Sequence, residues 1–128
     1  DPPPKRVSLA PAQSATLQHY ADLFNAHDFD SLRDLLTAEV RLELVGVDRR
    51  KGKARVAGYF GNYAKRNDWI MAPGHVEGRP AILAYDRKRP DGMPAYFILL
   101  EIAGSGVSHI RDFRYASYAL VDAEWSRL

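Results

Sequence analysis

The sequence contains no cysteine. That excludes disulfides, a thiol nucleophile and thiolate metal ligands, and it fits a reducing compartment. No apolar run approaches the ~20 residues that a membrane span needs, so no membrane contact and a cytoplasmic location are expected. The opening Asp1-Pro2-Pro3-Pro4-Lys5-Arg6 is polar and stiff, unlike a signal peptide. Charge of one sign is also scarce. A net +2 is too little to make the whole domain a nucleic-acid surface, and no direct nucleic-acid contact is expected. There is no glycine-rich phosphate loop, no Gly-x-Ser-x-Gly elbow and no Ser-His-Asp set that spacing supports. His19, His27, His75 and His109 are scattered, with no pair at helical ligand spacing beside a carboxylate. A metal site is therefore not expected, and nothing implies a cofactor.

What is present suits one domain. The 128 residues are enough to bury a real core. Residues 1–11, with prolines at 2 to 4 and at 11, read as a stiff linker. The missing initiator Met suggests a domain cut from a longer chain. In the domain, 12–128, Leu17, Tyr20, Ala21 and Phe24 recur at helical spacing and predict a helix over 12–26. Asp28 is an N-cap for a second helix burying Phe29, Leu32, Leu35 and Leu36. His27, between the two helices, is read as a cap on backbone carbonyls. Alternation over 40–45 predicts a strand, and the run from Asp48 to Lys53 predicts a solvated basic turn. A third helix over 53–65 carries Val56, Tyr59, Phe60 and Tyr63 on one stripe. Gly58 and Gly61 share a side of it, which predicts a close approach by another backbone.

Strands follow at 69–77, 80–86, 94–102 and 107–115. Tyr96 to Leu100 is apolar throughout, so that strand is covered on both faces. Residues 120–128 predict a short helix with Trp125 packed on the body. Segregated helices and a hairpin-linked sheet mean an α+β fold. A strongly curved, mostly antiparallel sheet wrapped around the N-terminal helices leaves a cone-shaped interior suited to an apolar ligand.

The last strand holds the sharpest residue. Ser108, Ile110, Asp112 and Arg114 alternate onto one face, with Val107, His109, Arg111, Phe113 and Tyr115 on the other. In an apolar cone Asp112 suits a general acid or base. The plain alternative is a structural ion pair with Arg114 or another arginine. Tyr20 is a candidate hydrogen-bond donor to a ligand carbonyl, or else a core tyrosine bonded to a neighbour. Tyr59, Tyr63, Trp69, Met71, Tyr85 and Tyr96 are candidate pocket residues. Phe24, Leu42, Leu44, Ile98, Ile110 and Arg114 are added as lining.

Tyr20-Ala-Asp-Leu-Phe-Asn25-Ala-His-Asp28-Phe-Asp30 and Leu35-Leu36-Thr-Ala-Glu39-Val40 resemble the opening of the SnoaL-like branch of the nuclear-transport-factor-2-like superfamily. Three further segments narrow the likeness: Gly58 to Ala64, Gly78 to Ala81 and Ile110 to Ala116. They resemble the SnoaL-like domain at the C-terminus of some extracytoplasmic-function sigma factors. That resemblance implies a regulatory or small-ligand-binding module, without catalysis, that contacts the sigma-factor core regions and through them RNA polymerase. The alternative it implies is a small isomerase, cyclase or hydrolase using Asp112 with Tyr20. Ketosteroid isomerases of this fold place a tyrosine where Tyr20 falls, but their base position falls on Leu44 and their later acid near Ile98, which disfavours that chemistry. Polyketide cyclases place an acid where Asp112 falls. Epoxide-hydrolase-like members need an Asp-Arg-Asp set, of which Asp112 and Arg114 supply only part. Members often form homodimers through the open sheet face, where Phe97, Leu99, Phe113 and Tyr115 are expected.

Overall fold

A computed structural model describes residues 10–128, so all but the last two residues of the expected linker lie outside it. Pro11 is already helical. Helix α1 runs Pro11–Asn25, with proline at the first position, where a missing N–H costs nothing. Leu17, Tyr20, Ala21 and Phe24 form its buried stripe. His27 takes a left-handed φ of 56° and turns the chain; its ring lies 5.2 Å from that of Phe29 instead of capping carbonyls. Asp28 accepts the Ser31 N–H and starts α2, Phe29–Asp34. Leu36, expected on that helix, instead begins strand β1, Leu36–Leu44.

The end of α1 is tied to the sheet by Asn25. Its side chain donates to the Met71 carbonyl at 2.8 Å and accepts the Met71 N–H at 2.7 Å. Asn25→Ala leaves both groups without these partners and is expected to cost about 1–3 kcal/mol. Urea unfolding measures it, and a loss below ~0.5 kcal/mol would contradict the role.

The basic segment is not a loop. It forms β2, Asp48–Lys51, antiparallel to β1, after a turn in which Gly46 adopts φ 82°. Helix α3, Lys53–Ala64, follows. Its two glycines face no backbone: a Cβ on Gly58 would meet only the Arg50 guanidinium, and one on Gly61 would meet nothing within 4 Å. Strands β3 (Trp69–Val76), β4 (Arg79–Asp86), β5 (Tyr96–Ala103) and β6 (Gly106–Asp112) form the meander. The expected C-terminal helix is instead a 3-10 turn, Ser117–Leu120, and strand β7, Trp125–Arg127, paired to β3.

The sheet order is β2-β1-β6-β5-β4-β3-β7. Every pairing is antiparallel except β1 with β6. This is the α+β cone of the nuclear-transport-factor-2-like fold, curved and unclosed. α1 packs on β3 and β4, and α3 on β1. The inner core lies between helices and sheet, with Leu17, Tyr20, Val56, Phe60, Ile98 and Ile110 at its centre. A second, smaller cluster lies on the outer face, where Leu83, Tyr85 and Phe97 are buried with Leu120 of the C-terminal segment. The expected bare dimer face is therefore covered in part by the chain itself. Phe97 is buried, with Phe113 stacked on it at 4.4 Å. Tyr115 lies beyond the end of β6 and is exposed.

Candidate functional site

β6 carries the site, and its register is set by a bulge. Glu101 pairs with His109, but Ile102 pairs with Val107, so Ser108 is an extra residue. An extra residue shifts the alternation by one. Val107 thus joins Ile110 in the inner core, although strict alternation assigns it to the outer face with His109. Beyond the bulge Ile110 and Asp112 point inward as expected, and Asp112 is fully buried. Across the sheet Asp112 lies opposite Leu44 on β1 and Ile98 on β5. The one acid therefore sits on the middle strand, between the two positions that isomerase chemistry would fill.

Helix α3 supplies the partners. Tyr59 and Tyr63 are four residues apart, hence on one face of the helix. Both hydroxyls donate to Asp112 Oδ2, at 2.5 and 2.6 Å. Asp112 Oδ1 accepts the Arg114 backbone N–H at 2.8 Å. Tyr96 on β5 lies 2.6 Å from the Tyr63 hydroxyl. Because the Tyr63 proton goes to Asp112, Tyr96 must donate to Tyr63. The result is a relay, Tyr96 to Tyr63 to Asp112, that no spacing in the sequence reveals.

The Arg114 guanidinium acts on Asp112 through its charge alone. Among the described residues its carboxylate makes no ion pair, so the expected structural pair with Arg114 is absent. Burial pushes the Asp112 carboxyl above its ordinary value, against the lowering pull of the Tyr59 and Tyr63 hydrogen bonds. Burial, and next the charge of Asp112, hold the Tyr59 and Tyr63 hydroxyls far above the ordinary phenol range. They are donors at any working pH. Tyr20 on α1 is raised for the same two reasons in the same order. Its hydroxyl is buried and among the described residues has no hydrogen-bond partner, unlike the bonded core tyrosine expected as its plain alternative.

Ten of the expected pocket residues do line one interior: Tyr20 and Phe24 from α1, Leu42 from β1, and Tyr59 and Tyr63 from α3. Met71, Tyr96, Ile98 and Ile110 join them around Asp112. Leu44 and Trp69 are half-buried at its margin. Tyr85 is a correction. It lies in the outer cluster because Ala84, its neighbour on β4, takes the inward position. Arg114 is a second correction: β6 ends at Asp112, so Arg114 lies past the strand and lines its edge. A groove of about 610 Å³ opens on the outer face beside Leu99, Glu101 and Arg111. It lies across the sheet from Asp112 and is not part of this site. Among the described residues no group of three His, Asp or Glu side chains is placed to hold a metal ion.

The arrangement can do two things chemically. Asp112 is a proton acceptor or donor held away from water, and Tyr20 is a hydrogen-bond donor with no acceptor of its own. Together they suit proton transfer on a substrate whose oxygen accepts from a phenol.

No family model matches the sequence, and no curated protein matches it significantly. Solved structures do. A candidate ketosteroid isomerase from Kribbella flavida is 20% identical over 79% of this chain and 76% of its own, with a TM-score of 0.58. The epoxide hydrolase/cyclase-like enzyme SalBIII, which acts in pyran ring formation in the polyether salinomycin, is 18% identical over 89% and 90%, with a TM-score of 0.59. An NTF2-like protein of unknown function from Cytophaga hutchinsonii is 17% identical over 77% and 96%, with a TM-score of 0.54. Identities this low establish a shared architecture: the chain has the nuclear-transport-factor-2-like fold.

Proposed function

We propose that this chain is a small SnoaL-like enzyme performing general acid–base chemistry at Asp112 on an apolar, oxygen-bearing substrate. One observation carries the reading. A fully buried carboxyl that makes no ion pair among the described residues sits on the concave face, bonded to a tyrosine relay and near an unpartnered tyrosine hydroxyl. Its three hydrogen bonds fix the carboxyl in place, and its raised value leaves it able to change protonation state near neutral conditions more readily than a paired acid. The reaction class is proton abstraction beside a carbonyl, or protonation-assisted ring closure, with Asp112 moving the proton and Tyr20 taking the developing oxyanion. The likeness to SalBIII and the Kribbella protein supports the class without fixing it. The sigma-factor reading rests on the sequence resemblance alone. It uses the same interior for binding without turnover, with the sigma-factor core regions and RNA polymerase as partners.

The test is exchange of the α-protons of 2-tetralone into deuterated water, followed by proton NMR. The protein is expected to accelerate exchange above buffer, and Asp112→Asn to remove about 100-fold or more of that acceleration. The rate should rise with pH as the Asp112 carboxyl ionises, above the ordinary carboxylate range. Equal rates for the protein and Asp112→Asn would overturn the reading, whereas binding of 2-tetralone without exchange would favour a sensing module.

A further inference from the structure

Arg114 sets its guanidinium at the margin of the site, within reach of the Asp112 charge but not bonded to it. Its guanidinium stands over three rings, 5.3 Å from the Tyr63 centroid, 5.8 Å from Trp69 and 5.6 Å from Tyr115. Among the described residues it makes no ion pair and no side-chain hydrogen bond; its only bond to Asp112 is through the backbone N–H. Rings hold a guanidinium through their faces and leave its in-plane N–H fork free. That fork is matched in geometry to a carboxylate. A second observation points to the same ligand. The indole Nε1 of Trp69, on one of those rings, is buried and among the described residues has no acceptor. A buried donor without a partner is costly, and its ring is one of those that the Arg114 guanidinium covers. Arg114 and Trp69 are half-buried and Tyr115 is exposed, so this box lies at the solvent edge of the tyrosine relay.

We propose that Arg114 and the Trp69 indole N–H bind the carboxylate of an aromatic or apolar acid, whose body lies against Tyr63 and Tyr115. The inference rests on the small-molecule reading above and names the class of its ligand. Arg114 is a binding residue, and the proton-transfer group remains Asp112.

The experiment is calorimetric titration at pH 7 with 2-naphthoate and with its neutral analogue 2-naphthamide. The protein is expected to bind naphthoate about tenfold or more tightly than naphthamide. Arg114→Gln should abolish that preference, and an unchanged circular dichroism spectrum and melting temperature report that the variant is folded. Arg114→Lys should retain only part of the preference, since it keeps the charge and loses the fork. Trp69→Phe should weaken naphthoate more than naphthamide. Equal binding of the two probes would overturn the carboxylate inference and leave the acid–base reading standing. A preference that survives Arg114→Gln would also overturn it, as would failure of naphthoate to bind at millimolar concentration. Loss of 2-tetralone exchange with the naphthoate preference intact would instead overturn only the reading at Asp112.

Discussion

Asp112→Ala is expected to lower folding stability by about 3–5 kcal/mol, because two buried donors and one half-buried donor lose their acceptor together and a small cavity opens. The donors are the hydroxyls of Tyr59 and Tyr63 and the Arg114 N–H. Asp112→Asn should behave quite differently. Its amide keeps the volume, its oxygen still accepts from Arg114, and the tyrosine hydroxyls can rotate to accept from its nitrogen. Within about 1 kcal/mol of the parent at neutral pH, it should be folded and inactive. The pH dependence has a definite sign. Burial raises the folded-state value of Asp112 above its unfolded value. The native state then binds more protons than the unfolded state, so the contribution of Asp112 is fully present below its unfolded value, near 3.9. It is lost as pH rises through the folded value. Urea unfolding of the parent and Asp112→Asn across this range should therefore show the parent losing ground steadily with pH, then a plateau. A constant difference at all pH values would contradict the raised carboxyl.

Gly74→Ala is expected to release the C-terminal strand. A Cβ at Gly74 would lie 2.4 Å from the Ser126 carbonyl oxygen and 2.9 Å from Leu83 Cδ1. The first of these atoms is backbone, held by the pairing of Gly74 with Arg127 and of His75 with Ser126, so it cannot swing aside as a side chain would. The whole of β7 must move. Overpacking of this kind costs about 2–3 kcal/mol, and here it also draws Trp125 off the outer cluster. The variant should be cut by protease C-terminal to about residue 120 under conditions where the parent is not. In a Trp69→Phe background, Trp125 emission should shift to the red. The Asp112 network lies on the opposite face of the sheet, so the pH dependence above should be unchanged. A melting temperature within about 1 °C of the parent, with no new cleavage, would show that β7 tolerates the side chain.

These two sites illustrate what the sequence carries and what it does not. The helical stripe Val56, Tyr59, Phe60 and Tyr63 was legible because burial imposes a 3.6-residue period. That two of those tyrosines share one carboxylate oxygen was not, because the contact joins residues 49 and 53 apart. Asp112 stood out as a lone acid among apolar inward positions. The inward turn of Val107 did not, since a bulge is a single extra residue with no composition of its own. β2 was misread because Arg49, Arg50 and Lys51 favour solvent. It is a strand only because β1 offers a ladder beside it, and charged side chains suit an edge. The tail was misread for a related reason: Trp125 to Arg127 are extended only against β3. The unpartnered Tyr20 hydroxyl and Trp69 indole are three-dimensional facts, invisible until their neighbours are placed.

The parallel pairing of β1 with β6 has a consequence for how the chain acquires its structure. β3 to β6 form a meander whose strands meet their neighbours across short turns, so it can assemble early. β1 must wait. Its inner neighbour begins at Gly106, some 60 residues after β1 ends at Leu44. Closing so long a loop is slow. On the ribosome, α1, α2, β1, β2 and α3 therefore emerge before the strand that holds them in register. Until β6 arrives, the hydroxyls of Tyr59 and Tyr63 have no carboxylate to bond and the apolar stripes of the helices have only part of their cover. The N-terminal half is thus expected to become native last although it is made first, with its greatest exposure to aggregation in that interval.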